Sequence, residues 1–190
     1  MRYLLNLITI GLMIQWSCKS DKVNNKTLTS EPIHEAYMLN NQDKLSSNEI
    51  NSMRSSATAI LDKRIKENNN ETFTILHGDI WVFGGLVSDS KSLFGDSLDG
   101  AWLDFKDDLT YEYGKCENKN GSGRYYYNFN TANLLMLDNN PAIKPQEFEV
   151  KMGTDMLVIV GNEIYKDNNM QAKLDRKPTL PTKTIPTETK

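Results

Sequence analysis

The sequence predicts an all-β chain, an antiparallel barrel of about eight strands preceded by one N-terminal amphipathic helix. Three observations support this. From Phe73 to Arg176, short runs rich in β-branched and aromatic residues are divided by turn-forming clusters. Several runs alternate: Leu103 and Phe105 stand against Trp102, Asp104 and Lys106, and Phe148, Val150 and Met152 against Glu147, Glu149 and Lys151. Such strands bury one face and wet the other. Ahead of them lies a single segment with apolar residues at helical spacing, and the roughly 100 β residues suffice for one core, not two.

The helix is marked at its start by Ser46-Ser47-Asn48-Glu49, a capping box with Ser46 as N-cap, and by Leu45 and Ile50 placed as a hydrophobic staple. Ile50, Met53, Ala57, Ile60, Leu61 and Ile65 form its apolar stripe, expected to pack on the sheet or across the barrel's open end. Lys63, Arg64 and Lys66 suit the negative end of the helix dipole, and Asn68-Asn69-Asn70 ends the element.

Strands are expected at about 73–77, 80–87, 101–106, 109–116, 123–129, 133–138, 147–152, 155–161 and 169–176. Turns are expected at Asp107-Asp108, Gly121-Ser122-Gly123, Asn139-Asn140-Pro141 and Gly153-Thr154. Gly84-Gly85 lacks the Gly-Lys-Ser/Thr of a phosphate loop and marks a strand bend or bulge. Residues 177–190 carry Pro178, Pro181 and Pro186 among Thr and Lys, and disorder is expected there.

Residues 1–17 read as an export signal: Arg2, then the apolar run Leu4 to Ile14, too short and too interrupted by Asn6 and Thr9 to span a bilayer. Gln15-Trp16-Ser17-Cys18 resembles the lipobox of bacterial lipoproteins, in Ser17 and Cys18 though not in Gln15 and Trp16. That resemblance implies processing before Cys18 and lipid on its sulfur, with several acyl chains giving stable anchoring. The other reading is a secretory signal cut after Ser20, leaving a secreted protein. Lys19-Ser20-Asp21-Lys22 is similar to the charged stretch after the lipidated cysteine in Bacteroidota surface lipoproteins. Residues 18–44 are polar and aperiodic, a tether whose ~26 residues span on the order of 30 Å as a flexible coil.

The chain has 22 basic and 25 acidic residues, net charge −3; loss of residues 1–17 removes Arg2 and no acid, giving −4. No concentrated positive charge is present to displace counterions, so no nucleic-acid partner is expected. Lipid on Cys18 would leave no disulfide to form within one chain, and Cys116 reads as a small buried residue near a strand end.

The β region resembles the lipocalin-like domains of Bacteroidota lipoproteins. Leu76-His77-Gly78-Asp79-Ile80-Trp81 is similar to the Gly-x-Trp opening of those barrels with one residue added. Trp102 to Tyr113 resembles their second hairpin: a phenylalanine strand end, an acidic turn and a Thr-Tyr strand start, with Leu109 where the family usually has Gly. Gly123-Arg124-Tyr125, Leu134 to Leu137, Met156 to Val160 and Ala172 to Arg176 continue the same order. The resemblance covers 73–176 and implies a lipocalin-like barrel.

For chemistry the residues offer little. His34 and His77 lie far apart, so no metal site is expected; His77 has no nucleophilic elbow with it, and no catalytic residue or cofactor is assigned. Asp104, Asp107, Asp108 and Glu112 fall at a hairpin end, where acids are ordinary turn formers, although paired carboxylates could support glycoside hydrolysis. The aromatic set is more informative. Trp81, Trp102, Phe105, Tyr111, Tyr113, Tyr125, Tyr127 and Phe129 are the ligand-binding candidates, in a barrel just wide enough to be filled or to hold one small ligand. Tyr126 faces away from Tyr125 and Tyr127, where an outward ring could meet carbohydrate or protein. Asp96-Ser97-Leu98 is similar to the Bacteroidota O-glycosylation sequon, making Ser97 a glycosylation candidate.

The expectation is thus a monomeric, non-enzymatic protein of the cell envelope, held on the outer membrane by lipid, whose barrel binds a small apolar or amphipathic molecule. The alternative is an envelope interaction or structural module with a filled barrel; a hydrolase is a third.

Overall fold

The computed structural model describes residues 45–67, 75–88, 92–93, 98–166 and 168–182. Helix α1 (Ser47–Glu67) begins where the capping box places it. The Glu49 amide donates to Ser46 Oγ at 3.3 Å, and the Ser46 amide donates back to the Glu49 carboxylate at 2.9 Å, so two otherwise orphaned donors are satisfied.

The strands follow as β1 (Ile80–Ser88), β2 (Ser92–Leu93), β3 (Ala101–Phe105), β4 (Thr110–Lys115), β5 (Asn118–Asn128), β6 (Asn133–Asp138), β7 (Gln146–Met152), β8 (Met156–Gly161) and β9 (Met170–Lys177), with a 3₁₀ turn at Glu163–Tyr165. From β3 to β9 each strand pairs antiparallel with the next, and β9 returns to pair with β1 from Ile80 to Ser88. That pairing occupies one whole edge of β1, so β3 and the two-residue β2 share the other. Eight strands therefore close into an antiparallel barrel with one helix before it, and no long sheet edge is left open among them. The register shifts between Phe83 and Gly85, the bulge that Gly84-Gly85 predicts.

Two apolar cores result. Inward-facing residues of every barrel strand form the first, from Trp81 and Phe83 through Leu103, Phe105, Tyr111, Tyr125, Met136 and Phe148 to Leu174. The second lies outside the wall, where Ala57 and Leu61 of α1 bury Tyr126, Leu135, Leu137 and Tyr165. Arg54 fastens this contact by donating to the carbonyls of Asp138 (2.7 Å), Ile143 (2.6 Å) and Asn140 (3.1 Å).

Five expectations are corrected. Residues 75–77 form a turn, not the end of a strand, with His77 in a single parallel bridge to Phe105; 73 and 74 lie outside the described residues. Gly121-Ser122-Gly123 lies inside β5, and the chain reverses at Cys116-Glu117, with Lys115 opposite Asn118 and Cys116 at φ 51. Glu147 is buried at the start of β7, where its carboxylate meets Arg64 of α1 at 3.2 Å, while Glu149 and Lys151 further along the same outer face stay exposed. Trp102 is also buried on the outer wall, directly opposite Gly114, with its indole N–H donating to the Cys116 carbonyl at 2.8 Å. Tyr126 does point outward, but the helix covers it. Leu109, standing where the lipocalin-like pattern has Gly, adopts φ 64, the left-handed conformation that Gly takes without strain.

Candidate functional site

The ligand candidates divide into three groups. Trp81, Phe105, Tyr111, Tyr113 and Tyr125 come together inside the barrel, with Tyr127 partly buried against them. Phe105 meets Tyr125 edge-on at 4.8 Å, and Tyr111 stacks with Tyr113 at 6.2 Å. Trp102 lies on the outer wall, and Phe129 is 52 % exposed in the loop after β5. Cys18 and Ser97 lie outside the described residues.

The interior set behaves as core. A void with room for one water would leave accessible area on the side chains around it. Trp81, Tyr111, Leu134, Phe148, Leu157 and Leu174, drawn from β1, β4, β6, β7, β8 and β9, have 0 % exposure. At these six side chains the barrel interior is closed to solvent. Burial also governs the phenols: Tyr111 is pushed well above its ordinary value first by desolvation and then by the nearby Asp138 charge, and Tyr125 is pushed up by desolvation and by Asp108, Asp107 and Asp104.

An opening lies at one end. There the segment entering β1, the β3–β4 turn and the residue after β9 surround a solvent-open cleft of about 360 Å³, lined by His77, Gly78, Asp79, Ile80, Asp104, Phe105, Lys106, Asp107 and Pro178. Its walls are held from behind. The Trp81 indole donates to the Leu76 carbonyl at 2.7 Å, fixing the strand entry, and the Tyr125 hydroxyl donates to the Lys106 carbonyl at 2.8 Å, fixing the turn. The Lys106 ammonium pairs with the Asp104 carboxylate, Arg176 stands 3.5 Å from Asp79, and the Arg176 guanidinium lies over the Trp81 ring at 5.1 Å. His77 Nε2 is buried and has no hydrogen-bond partner among the described residues.

Of the clustered acids noted in the sequence, Asp104 and Asp107 line this cleft. Asp108 instead accepts from the Thr110 hydroxyl at 2.5 Å and then from the Thr110 amide at 2.9 Å, which together hold its carboxyl below the usual range, and Glu112 pairs with Lys119 on the outer wall. Asp79 and Pro178 could not be read as lining from local pattern, because β1–β3 pairing sets Asp79 next to the Asp104 strand end and the closure of β9 on β1 brings in Pro178. Among the described residues no group of three or more His, Cys, Asp or Glu could hold a metal, and no helix is long and apolar enough to cross a membrane.

Cys116, expected as a simple buried residue, is disulfide-bonded, to a partner outside the described residues. The sequence has two cysteines, so a disulfide within one chain and a lipid on Cys18 would draw on the same sulfur.

No protein-family model matches the chain, and no curated protein matches it. Among solved structures it is similar to a DUF4847 family protein from Bacteroides vulgatus, at 8 % identity and a TM-score of 0.40 over 55 % of this chain and 96 % of that one. A likeness at that level carries no argument about function.

Proposed function

We propose that this chain is a lipid-anchored protein of a bacterial envelope whose filled barrel serves as a non-enzymatic interaction module, meeting its partner at the barrel's end or outer wall. The observation that supports it is the packing of Trp81, Phe105, Tyr111, Tyr113 and Tyr125 on one another, which occupies the space a lipocalin-like carrier would give to its ligand. A small apolar ligand at the centre would have to displace several of these rings, each of which contributes on the order of 2 kcal/mol or more by burial. Anchoring rests on the apolar run Leu4 to Ile14 and on Ser17-Cys18, and it requires that the Cys18 sulfur carry lipid and not the disulfide of Cys116.

Two measurements test this reading. A chain processed before Cys18 retains Trp81 and Trp102 as its tryptophans, both buried. Acrylamide should then quench little fluorescence until urea unfolds the protein, and an apolar dye should not bind stoichiometrically. Dye binding with energy transfer from tryptophan would return the carrier reading instead. The intact mass of the protein from its own cells addresses the anchor: acyl chains on Cys18 uphold it, whereas an unacylated mass with one intrachain disulfide overturns it.

A further inference from the structure

Helix α1 is an addition to a barrel that closes without it. The eight strands meet when β9 pairs with β1, and the interior core draws no residue from the helix. Of the 21 residues of α1, only Ile50, Ala57 and Leu61 are buried. Its charged ties to the wall run from Glu49 to Lys166 at 3.2 Å, from Asp62 to Arg124 at 2.7 Å and from Arg64 to Glu147 at 3.2 Å, and in the first two both partners are exposed. Exposed pairs of this kind contribute little and weaken with salt. An element held by a small apolar contact and a few such pairs opens at a lower free energy than the closed sheet it rests on.

What the helix covers has the form of a groove for a helix. Tyr126 of β5, Leu135 and Leu137 of β6 and Tyr165 of the 3₁₀ turn make its apolar floor. The carbonyls of Asp138, Asn140 and Ile143 receive Arg54, and the Glu147 carboxylate, 2 % exposed, receives Arg64, the two arginines standing about 15 Å apart along the helix axis. An amphipathic helix laid in a hydrophobic groove is a recurring recognition mode, read from anchors on one face. α1 matches the groove incompletely, for Tyr165 is only 4 % exposed and its hydroxyl is buried there with no hydrogen-bond partner among the described residues. A buried hydroxyl left unpaired carries a desolvation penalty that a better-matched helix would remove.

We infer that α1 is a releasable cover on a helix-binding groove, and that the occupant which displaces it is an amphipathic helix of a second protein. That helix carries the chemistry of α1, an apolar stripe with a small residue at its centre and basic residues about 15 Å apart, together with a polar side chain placed to pair with the Tyr165 hydroxyl. The groove specifies where on the outer wall the interaction module proposed above meets its partner, and rests on that reading.

The probe is a fluorescein-labelled peptide of residues 45–67, titrated by anisotropy into the processed full-length protein in nonionic detergent. Ala57→Asp places a charge beneath the helix and should release it, so this variant should bind the peptide about tenfold or more tightly than the parent, in which the groove is already filled in most molecules. Trp81 and Trp102 should stay buried, with tryptophan emission as in the parent. A peptide carrying Leu61→Ala should bind about tenfold more weakly or worse, and bound peptide should shift the amides of Tyr126, Leu135, Leu137 and Tyr165. In the parent, which needs no substitution, the α1 amides should exchange with deuterium as a group, about tenfold or more faster than those of β4 and β5, and faster again as salt is raised.

The proposal is overturned if Ala57→Asp unfolds the barrel, if the peptide fails to bind that variant, if a scrambled peptide of the same composition binds equally, or if the α1 amides exchange only together with those of the barrel. A concentration-dependent dimer that excludes the peptide would overturn it as well, by assigning the groove to a second copy of this chain. None of these results touches the filled interior, which the dye measurement judges by itself; dye uptake alongside tight peptide binding would remove the filled-barrel reading and leave the groove.

Discussion

Tyr111 of β4 lies directly opposite Gly123 of β5, and a methyl group added at Gly123 would come within 2.5 Å of Tyr111 Cε1 and still closer to the Leu137 carbonyl. Tyr113 stands in the same relation to Gly121, where an added Cβ would lie 2.7 Å from Tyr113 Cε1. Two large rings thus cover glycine backbone on the neighbouring strand, a cross-strand pairing that fixes register and fills the interior together. This is why a segment with the composition of a turn forms the middle of β5.

Gly123→Ala should cost about 2 kcal/mol, within the usual range for overpacking. Urea unfolding should show a lower midpoint with an unchanged slope. Gly153→Ala is the control: its Cβ would make an ordinary contact, 3.7 Å from the Met156 carbonyl, and its stability should stay within about 0.5 kcal/mol of the parent.

The capping box makes a pH prediction. Glu49 is held at about 2, below its ordinary 4.5, chiefly by the Ser46 backbone and side-chain hydrogen bonds and then by Lys166. Because the folded value is the lower one, the contribution is present above about pH 4.5 and is lost as pH falls towards 2. Carbon-detected NMR of the Glu49 carboxyl should locate its midpoint near 2, and Ser46→Ala should raise that midpoint while costing about 1 kcal/mol of stability as a lost cap.

The buried tyrosines act at the other end of the scale. Burial raises Tyr111, Tyr125, Tyr127 and Tyr165 above the ordinary value of 10.0. The unfolded chain therefore loses these protons first, and stability should fall as pH rises past 10. Tyrosinate absorbance should grow in step with unfolding rather than ahead of it for this group. Early, complete ionisation in the folded protein would mean that the interior admits water.

Arg54→Lys should destabilise by about 2 kcal/mol although charge is kept, since an ammonium cannot reproduce the fork that reaches the carbonyls of Asp138, Asn140 and Ile143. Amide exchange should speed up first in the 139–145 loop. An effect confined to the helix would show that Arg54 does not hold that loop.

Local pattern was enough to read the helix start at Ser46, the inward faces of β3 and β7, the bulge at Gly84-Gly85 and a barrel of about eight strands. Each of these depends on residues near one another in sequence, through hydrogen bonds of one helical turn or the two-residue period of a strand. The fates of Trp102, Tyr126 and Glu147 could not be read that way. They occupy the outward face of their strands, and what covers an outward face is another part of the chain: α1 over Tyr126 and Glu147, and the β4–β5 turn against the Trp102 indole. The candidate site divides along the same line. Asp104 and Asp107 were visible together in the acidic cluster at one hairpin end, whereas Asp79 joins them because β1 pairs with β3, setting Ile80 opposite Asp104, and Pro178 joins them because β9 closes on β1. Residue type and spacing determined which side chains turn inward; only the closed barrel decided that the aromatic ones fill it and that the open space lies at its end, since filling depends on volumes contributed by strands distant in sequence.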